Sequence, residues 1–366
     1  TWISGTTTVA TIGVGTGLAT GVAPGGTTTI TYTLASGCRN TTVLTVTPLP
    51  SVITGITSIC VGQTTTLSSA TTGGTWSSSN PAVGTISTGG VVTGLGAGTT
   101  TITYAVSGCS RTTVVLVNGL PTSITPSGAG AQVCEGSTLS MTGSPSGGTW
   151  SSSCTGIGSI ATGSGTYTGI SAGTCTVTYT LSTGCSLVSS PITVNALPAT
   201  IGGVASVCVG QTTTLNSTPA TGTWSLSSGT GTATIGSTTG VVTGGTAGTV
   251  NVTYTLPTGC RRTIVVTVNA LPGLITGAAN VCAGSTTTMN CTPAGGTWTI
   301  SGSIATIGVT TGIVTGSSAG TTDVTYTAGA GCYSTRIITV NPVPDPITGT
   351  AATCVGQTTT LSTLST

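Results

Sequence analysis

The sequence contains no histidine, no lysine and no phenylalanine, and charged residues make up only 2% of its 366 residues. Histidine is the usual general base and metal ligand near neutral pH, and lysine supplies the amine of Schiff-base enzymes. The three carboxylates, Glu135, Asp323 and Asp345, lie one each in three different repeats, so neither a catalytic carboxylate pair nor a calcium cage is expected. We therefore predict a protein that is not an enzyme and has no cofactor or metal.

Charge and hydropathy exclude further classes. The formal net charge of +2 is too small to attract nucleic acid or anionic lipid by itself. No apolar run approaches the ~18 residues that a membrane helix needs, so no membrane insertion is expected. Roughly a quarter of the residues are threonine, and valine and isoleucine are frequent, which favours β-strands over disorder.

What the sequence has in abundance is repetition. Its five tryptophans, each 74 residues from the next, are Trp2, Trp76, Trp150, Trp224 and Trp298. A first cysteine lies 16 residues before each later tryptophan, and one more opens a further round: Cys60, Cys134, Cys208, Cys282 and Cys354. A second cysteine follows each tryptophan by 33 to 36 residues: Cys38, Cys109, Cys185, Cys260 and Cys332. A fixed period of this size indicates a tandem array.

Short proline-containing linkers such as TPLP at 47–50 and NGLP at 118–121 separate the repeats. They divide the chain into repeat 1 (1–48, partial), repeat 2 (49–119), repeat 3 (120–196), repeat 4 (197–270), repeat 5 (271–342) and repeat 6 (343–366, partial). Because proline fixes φ and the linkers are only a few residues long, we expect stiff coupling between neighbours and a rod.

Each repeat carries signals for short strands. In residues 27–34, TTTITYTL, apolar and threonine residues alternate, and a glycine-containing turn and a second strand follow, which predicts a hairpin. Six or seven such strands in ~74 residues, with no helical period, favour an all-β tandem array of antiparallel β-sandwiches. A β-solenoid is the competing all-β architecture, but its rungs are shorter. The expected core residues are the five tryptophans and Tyr32, Tyr104, Tyr179, Tyr254 and Tyr326.

The run WSSSNPAVGTISTGGVVTGLGAGTTTITYAVSGC, from Trp76, resembles the bacterial Ig-like repeats of the intimin and invasin class. It is most similar to the cysteine-bearing, Thr/Gly-rich versions in surface proteins of Bacteroidota. The pattern GxVTGxxAGTxxxTY occurs at 90–104 and again at 240–254. The resemblance implies Ig-like sandwiches with a structural and adhesive role at the cell surface or in secreted form, without catalysis.

Periodic cysteines in small modules indicate disulfides and hence an extracellular or cell-surface location. We expect one bridge at one pole of each repeat: Cys60–Cys109, Cys134–Cys185, Cys208–Cys260 and Cys282–Cys332. Cys154 and Cys175 should form a second, local bridge in repeat 3. Cys291 is left over, either as a buried thiol or as a cross-link to another chain.

The two partial repeats are complementary. Repeat 1 starts near its tryptophan, whereas repeat 6 carries the strands and first cysteine that repeat 1 does not have. One interpretation is a head-to-tail filament of copies of this chain, in which 343–366 completes 1–48 of the next copy and an intersubunit Cys38–Cys354 bridge seals it. The other is a processed or excerpted window, the chain starting at Thr1 rather than Met, on the stalk of a longer surface adhesin that binds glycans or a host or neighbour surface.

Several residues allow more than one interpretation. Arg39, Arg111, Arg261, Arg262 and Arg336 lie near second cysteines, where they either protect hairpin edges or meet Glu135 or Asp345 across junctions. Asn40, Asn216, Asn251 and Asn290 occupy N-x-[ST] sequons and are candidate glycosylation sites. The threonine rows also suggest a remote alternative, an ice-binding protein, although threonine is common on the outer face of any strand.

Overall fold

The structure is a computed structural model that describes residues 1–364. Within these residues it is all-β apart from a single 3₁₀ turn at Gly128–Gly130, which confirms the predicted fold class. The chain forms two compact units, Thr1–Asn195 and Ala196–Thr366, the second described to residue 364. Repeats 1 to 3 lie in the first unit and repeats 4 to 6 in the second.

The strands of the first unit are short and follow the glycine and proline punctuation of the sequence. Repeat 1 has β1 (Trp2–Ser4), β2 (Ala10–Ile12), β3 (Ala19–Gly21), β4 (Thr27–Thr33) and β5 (Arg39–Thr45). Repeat 2 has β6 (Ser58–Cys60), β7 (Thr64–Thr66), β8 (Thr75–Ser78), β9 (Gly84–Ile86), β10 (Val91–Gly94), β11 (Gly98–Val106) and β12 (Cys109–Asn118). Repeat 3 has β13 (Ser123–Thr125), β14 (Gln132–Cys134), β15 (Thr138–Ser140), β16 (Thr142–Ser144), β17 (Thr149–Ser152), β18 (Gly158–Ile160), β19 (Thr166–Gly169), β20 (Gly173–Cys175), β21 (Val177–Thr180), β22 (Ser186–Val188) and β23 (Ile192–Asn195).

The second unit follows the same plan. Repeat 4 has β24 (Gly202–Gly203), β25 (Ser206–Cys208), β26 (Thr212–Asn216), β27 (Thr223–Ser227), β28 (Thr232–Ile235), β29 (Val241–Thr246), β30 (Gly248–Thr255) and β31 (Arg261–Asn269). Repeat 5 has β32 (Asn280–Cys282), β33 (Thr286–Thr288), β34 (Thr297–Ile300), β35 (Ala305–Ile307), β36 (Ile313–Gly316), β37 (Gly320–Thr327) and β38 (Tyr333–Asn341). Repeat 6 has β39 (Thr348–Gly349) and β40 (Leu361–Ser362).

Repeat 2 shows the complete architecture. One sheet has the order β6-β12-β11-β8 and the other β7-β10-β9. Side chains of both sheets, including Leu67 and Val92 from one and Ile102 and Val115 from the other, form a single buried core, as expected for an Ig-like sandwich. All pairings are antiparallel except one: β6 runs parallel to the end of β12, which sets Cys60 beside Asn118.

A tryptophan and a tyrosine on neighbouring strands form the centre of each core. In repeat 4, Trp224 lies opposite Tyr254, and their ring centroids are 4.5 Å apart. The Tyr254 hydroxyl accepts a hydrogen bond from the Gly222 N–H (2.8 Å) and donates one to the Pro219 carbonyl (2.6 Å). The same pair of hydrogen bonds occurs in repeats 2, 3 and 5, so the tyrosine ties the loop before each tryptophan to the core.

One glycine in each of repeats 1 to 5 lies against the tryptophan and is required by this core. Gly240 has φ +69°, a left-handed conformation that favours glycine. A Cβ there would lie 2.4 Å from the Leu215 carbonyl oxygen and 3.0 Å from the Trp224 indole. The strand that begins at the next residue can therefore pack directly beneath the tryptophan only because the sequence has glycine at this point.

Repeat 3 contains the extra bridge that the sequence predicted, between Cys154 and Cys175. In repeat 2, the corresponding place is held by a hydrogen bond from the Asn80 N–H to Thr100 Oγ1 (3.1 Å). The bridge thus replaces a polar contact between two neighbouring segments by a covalent one.

Candidate assembly site

Both sheets of repeat 1 end in a strand with one open edge. The sheets are β1-β4-β5 and β2-β3, so β5 and β3 each have a hydrogen-bonded neighbour on one side only within residues 1–364. Their counterparts in repeat 2 have neighbours on both sides. The counterpart of β5 is β12, which lies between β11 and β6, and the counterpart of β3 is β10, which lies between β9 and β7. Open edges present unpaired N–H and C=O groups, which is the usual template for adding a strand from another chain.

The core of repeat 1 is open on the same side. Tyr32 is 38% exposed, whereas Tyr254 in repeat 4 is 2% exposed. Leu44 and Val46 on β5 and its extension are half-buried, although the corresponding Val115 and Val117 in repeat 2 are fully buried. Repeat 1 therefore has a sandwich core that further strands would cover.

Residues 343–364 carry apolar side chains with no core of their own. They form one small hairpin in which Thr348 pairs with Ser362, as Thr54 pairs with Ser68 in repeat 2. Ile347 is 73% exposed, whereas its counterpart Ile275 in repeat 5 is 6% exposed; Leu361 is 52% exposed, whereas its counterpart Leu215 is 1% exposed. These side chains occupy core positions of the repeat but lie in solvent.

Repeat 2 shows which pairings would fill the open edges. There β7 pairs antiparallel with β10, Thr66 opposite Val91, and β6 pairs parallel with β12, Cys60 opposite Asn118. When repeats 6 and 1 are aligned with repeat 2, the equivalent antiparallel pairing sets Thr360 opposite Leu18. The equivalent parallel pairing sets Cys354 opposite Thr47. The Gly17 carbonyl would then receive the N–H of Leu361, as the Gly90 carbonyl receives that of Leu67 at 2.8 Å.

The observed disulfides differ from the predicted ones. Cys60 is bonded to Cys185, 125 residues away in the next repeat, and Cys208 is bonded to Cys332, 124 residues away in the next repeat. Cys134 and Cys260 are also disulfide-bonded, whereas Cys109 and Cys282 are free. The predicted pairs Cys60–Cys109, Cys134–Cys185, Cys208–Cys260 and Cys282–Cys332 are therefore wrong, because each contains a cysteine that is free or bonded elsewhere.

The parallel pairing of β6 with β12 explains the error. The second cysteine of repeat 2, Cys109, begins β12, but the first cysteine, Cys60, lies beside the last residue of that strand, Asn118. Nine residues of extended strand separate these positions, roughly 30 Å at ~3.3 Å per residue. A disulfide needs Cα atoms within about 7 Å, so the two cysteines of one repeat cannot meet. The first cysteine instead lies where the chain leaves its repeat, next to the hairpin turn of the following repeat.

Free thiols occupy the corresponding places at both ends of the array. Cys109 Sγ lies 3.2 Å from Thr47 Oγ1 and 3.7 Å from the Thr47 carbonyl, at the end of repeat 1. The bonded Cys185 lies in the same way near the Asn118 carbonyl, at 3.9 Å. Cys282 stands opposite Asn341 on β38, as Cys60 stands opposite Asn118. Four free thiols occupy these positions. Cys38, Cys282 and Cys354 are exposed, and Cys109 is half-buried.

Cys291 is free and half-buried within repeat 5. Its thiol donates a hydrogen bond to the Gly273 carbonyl (3.2 Å), and burial raises its pKa. It packs against the edge of the repeat 5 core, as the buried-thiol interpretation expects.

Arginine side chains contact the linkers, which neither sequence interpretation anticipated. Arg111 Nε donates to the Pro50 carbonyl (3.0 Å) and Arg262 Nε to the Pro198 carbonyl (2.6 Å). Arg336 Nη1 donates in a similar way to the Ile275 carbonyl (2.8 Å). Glu135, one expected partner, accepts a hydrogen bond from the Ala172 N–H (2.9 Å). Each of these arginines therefore fixes the entrance of its own repeat.

The four sequon asparagines lie on strands or next to a strand pairing. Asn40, Asn216 and Asn290 are exposed, and Asn251 is half-buried with its amide donating to the Ser228 carbonyl (3.2 Å). Glycosylation at these positions stays a prediction.

The disulfide pattern also bears on location. Eight of the thirteen cysteines are disulfide-bonded, and disulfides of this number persist in oxidising surroundings. The chain is therefore an extracellular or cell-surface protein. Among residues 1–364, no helix is long and apolar enough to cross a membrane.

The strand pairing and cores define the class as an array of Ig-like β-sandwiches. No protein-family model matches the chain, and no characterised protein sequence matches it. Among solved structures it is similar to invasin, a bacterial integrin-binding protein, with 14% identity over 86% of this chain and 75% of that chain, at a TM-score of 0.28. It is also similar to the N-terminal eight Ig domains of the Down syndrome cell adhesion molecule (13% identity, 94% of this chain, 56% of that chain, TM-score 0.27).

A third similar structure is a C-terminal fragment of intimin in complex with the translocated intimin receptor (17% identity, 47% of this chain, 59% of that chain, TM-score 0.24). The chain thus spans little more than half of the cell adhesion molecule fragment. The strand order and the buried cores of repeats 2 to 5 define the Ig-like sandwich fold of this chain.

Proposed function

We propose that this chain is the structural subunit of an extracellular bacterial filament that assembles head to tail by strand complementation. Residues 343–364 of one copy add to repeat 1 of the next copy and complete its sandwich. Since the donor and acceptor surfaces differ, each copy offers one of each, and the assembly is heterologous and open.

The observation that carries this proposal is the match between the two partial repeats. Repeat 1 has open edges at β3 and β5 and a half-covered core, and repeat 6 exposes Ile347 and Leu361, whose counterparts are buried elsewhere. Burying a side chain such as leucine contributes about 1.5–3 kcal/mol, and strand addition also satisfies backbone groups along two edges.

The proposal predicts that the purified chain forms polymers in steps of its 34.9 kDa mass. The decisive variant is Leu361→Asp, which places a charge in the core position of the acceptor. Its matched control is Leu274→Asp, since Leu274 is 89% exposed and occupies no core position. Sedimentation velocity and negative-stain microscopy should show filaments for the wild type and the control, and a tenfold or greater loss of polymer for Leu361→Asp.

Two results would refute the proposal. One is a wild-type chain that stays monomeric at high concentration under oxidising conditions. The other is a filament that Leu361→Asp leaves unchanged, because the 343–364 segment would then take no part in assembly.

A second candidate is the stalk of a longer surface adhesin, in which the same junction forms between consecutive repeats of one polypeptide. It is supported by the array of Ig-like repeats itself. A denaturing gel of native material after reduction separates the two: the filament gives 34.9 kDa chains, and the stalk gives one much larger chain.

A further inference from the structure

We propose that two disulfides seal each junction between copies, Cys282 to Cys38 of the next copy and Cys354 to Cys109 of the next copy. This inference rests on the proposed head-to-tail assembly and assigns its covalent chemistry. It replaces the Cys38–Cys354 bridge expected from the sequence.

The assignment follows from the rule that the two intra-unit bridges share. In both, a first cysteine is bonded to the second cysteine of the following repeat, at almost the same separation: Cys60 to Cys185 (125 residues) and Cys208 to Cys332 (124 residues). Applied to the junction, the rule joins Cys282 of repeat 5 to the second cysteine of the completed repeat, which is Cys38 of the next copy. It also joins Cys354, the first cysteine of the completed repeat, to Cys109.

The positions of Cys282 and Cys109 each support the proposed pairing. Cys282 stands opposite Asn341, the position that Cys60 holds opposite Asn118 in its bridge. Cys109 already lies against Thr47, at 3.7 Å from its carbonyl, as the bonded Cys185 lies 3.9 Å from the Asn118 carbonyl. When 343–364 adds to β5 in the register of repeat 2, Cys354 stands opposite Thr47, beside Cys109.

The same geometry excludes the pair Cys38–Cys354. Cys38 immediately precedes β5, whereas Cys354 would stand just beyond its end. They would be separated by the length of the strand, roughly 30 Å, as Cys60 and Cys109 are. Each thiol can therefore reach only a neighbouring repeat.

The exposure of Cys38 fits a thiol whose disulfide partner lies in another copy. The bonded second cysteines Cys185 and Cys332 are each 1% exposed. Cys38, by contrast, is exposed and lines a shallow cavity of about 180 Å³ together with Tyr32 and Leu34. A docked repeat would cover it.

Bridge formation needs a disulfide as the oxidant, and oxidised glutathione suffices. One thiolate, Cys282 for example, attacks a glutathione sulfur, which forms a mixed disulfide and releases one glutathione thiolate. The Cys38 thiolate of the next copy then attacks the Cys282 sulfur and releases the second. The two protein thiols lose two protons and two electrons, and one glutathione disulfide is reduced to two thiols.

The test uses the full chain prepared in two forms, one labelled with ¹⁵N and one unlabelled. The two are mixed under reducing conditions, assembled with a glutathione redox buffer, blocked with N-ethylmaleimide and digested with pepsin at acid pH, where disulfides do not exchange. Mass spectrometry should find peptides of Cys282 joined to Cys38 and of Cys354 joined to Cys109, about half of each as mixed heavy and light pairs.

Variants assign the two bridges individually. Cys109→Ser should leave Cys354 open to maleimide while Cys282–Cys38 persists, and Cys38→Ser should do the reverse. Neither variant removes a bridge within the subunit, because both thiols are free there. Cys291→Ser is the matched control and should leave both junction bridges in place.

Outcomes separate the inference from the proposed function. Filaments whose junction thiols all react with maleimide, or whose peptides join Cys38 to Cys354, would overturn the disulfide assignment and leave strand complementation standing. Linked peptides that are only heavy–heavy or light–light would place the bridges within one chain and overturn the role of a second copy. Failure of the wild-type chain to assemble would overturn both.

Discussion

Repeats 1 and 4 have the same sequence pattern but differ in completeness. Trp224 and Tyr254 of repeat 4 are buried between two four-stranded sheets, whereas Trp2 and Tyr32 of repeat 1 lie between a three-stranded and a two-stranded sheet and remain partly exposed. Ring centroids are 4.5 Å apart in both, so the hairpin and its aromatic pair form without the first strands. The difference shows that the first strands close the core but do not create it.

The largest effect expected concerns the bridge between neighbouring repeats. Replacing Cys60 and Cys185 by serine should destabilise repeats 2 and 3, because the disulfide closes a loop of 125 residues, for which the chain-entropy model gives about 5 kcal/mol. Hydrogen exchange read by mass spectrometry should show faster exchange in both repeats. The control, Cys109→Ser with Cys282→Ser, removes two free thiols and should leave exchange in the unassembled chain unchanged; an equal effect would contradict the bridge assignment.

The tryptophans test the comparison directly. Trp224→Ala should destabilise repeat 4 by about 3–5 kcal/mol, because it removes a buried aromatic side chain and leaves a cavity. Trp2→Ala should lower the free energy of unfolding of repeat 1 by clearly less in the unassembled chain, because Trp2 is only half-buried. Hydrogen exchange measured for each repeat at increasing denaturant concentration gives the free energy of unfolding of repeats 1 and 4 in both variants. Equal costs would mean that the core of repeat 1 is already closed.

A smaller difference is expected for the tyrosine hydroxyls. Tyr254→Phe leaves the Gly222 N–H and the Pro219 carbonyl without their partner and should cost about 1–3 kcal/mol. Tyr32→Phe should be close to neutral, because the described residues give Tyr32 no corresponding loop. The same exchange measurement applies, and a large effect of Tyr32→Phe would show an unrecognised partner.

The smallest effect is one of rate. Burial raises the pKa of the Cys291 thiol, so at neutral pH less of it is thiolate, and its alkylation should keep accelerating as the pH rises beyond the usual range of a cysteine. Iodoacetamide labelling followed by peptide mass mapping should show Cys291 reacting more slowly than the exposed Cys38 and Cys282 at neutral pH. Faster labelling of Cys291 would contradict its half-buried position.

The fold was predictable because its signals are local. Period-2 alternation, glycine turns and the spacing of tryptophans suffice for strands, hairpins and an all-β sandwich array. Pairing of Trp224 with Tyr254 follows from the hairpin and needs no long-range information. The local bridge between Cys154 and Cys175 was predictable for the same reason, since its cysteines are only 21 residues apart and lie just beyond the paired residues Ser152 and Val177.

The long-range disulfides were not predictable in the same way. Their pairing depends on a parallel contact within each repeat, β6 with β12 for Cys60 and β25 with β31 for Cys208, that places the first cysteine at the far end of its repeat. Nothing in the residues around Cys60 distinguishes a partner at Cys109 from one at Cys185, because both follow the same turn pattern. The arginine contacts with Pro50 and Pro198 were missed because charge alone suggested ionic partners, whereas the nearest acceptors are backbone carbonyls.

The bridge from Cys60 to Cys185 runs alongside the peptide that connects repeats 2 and 3, so these two repeats are held together twice. A protease that cuts the linker at 119–122 would produce two polypeptides but still one covalent molecule. Tension applied along the chain would pass through both connections, and neither would have to bear it alone. A single broken backbone bond in this linker would thus leave repeats 2 and 3 joined, which is useful for material that a cell cannot repair after export.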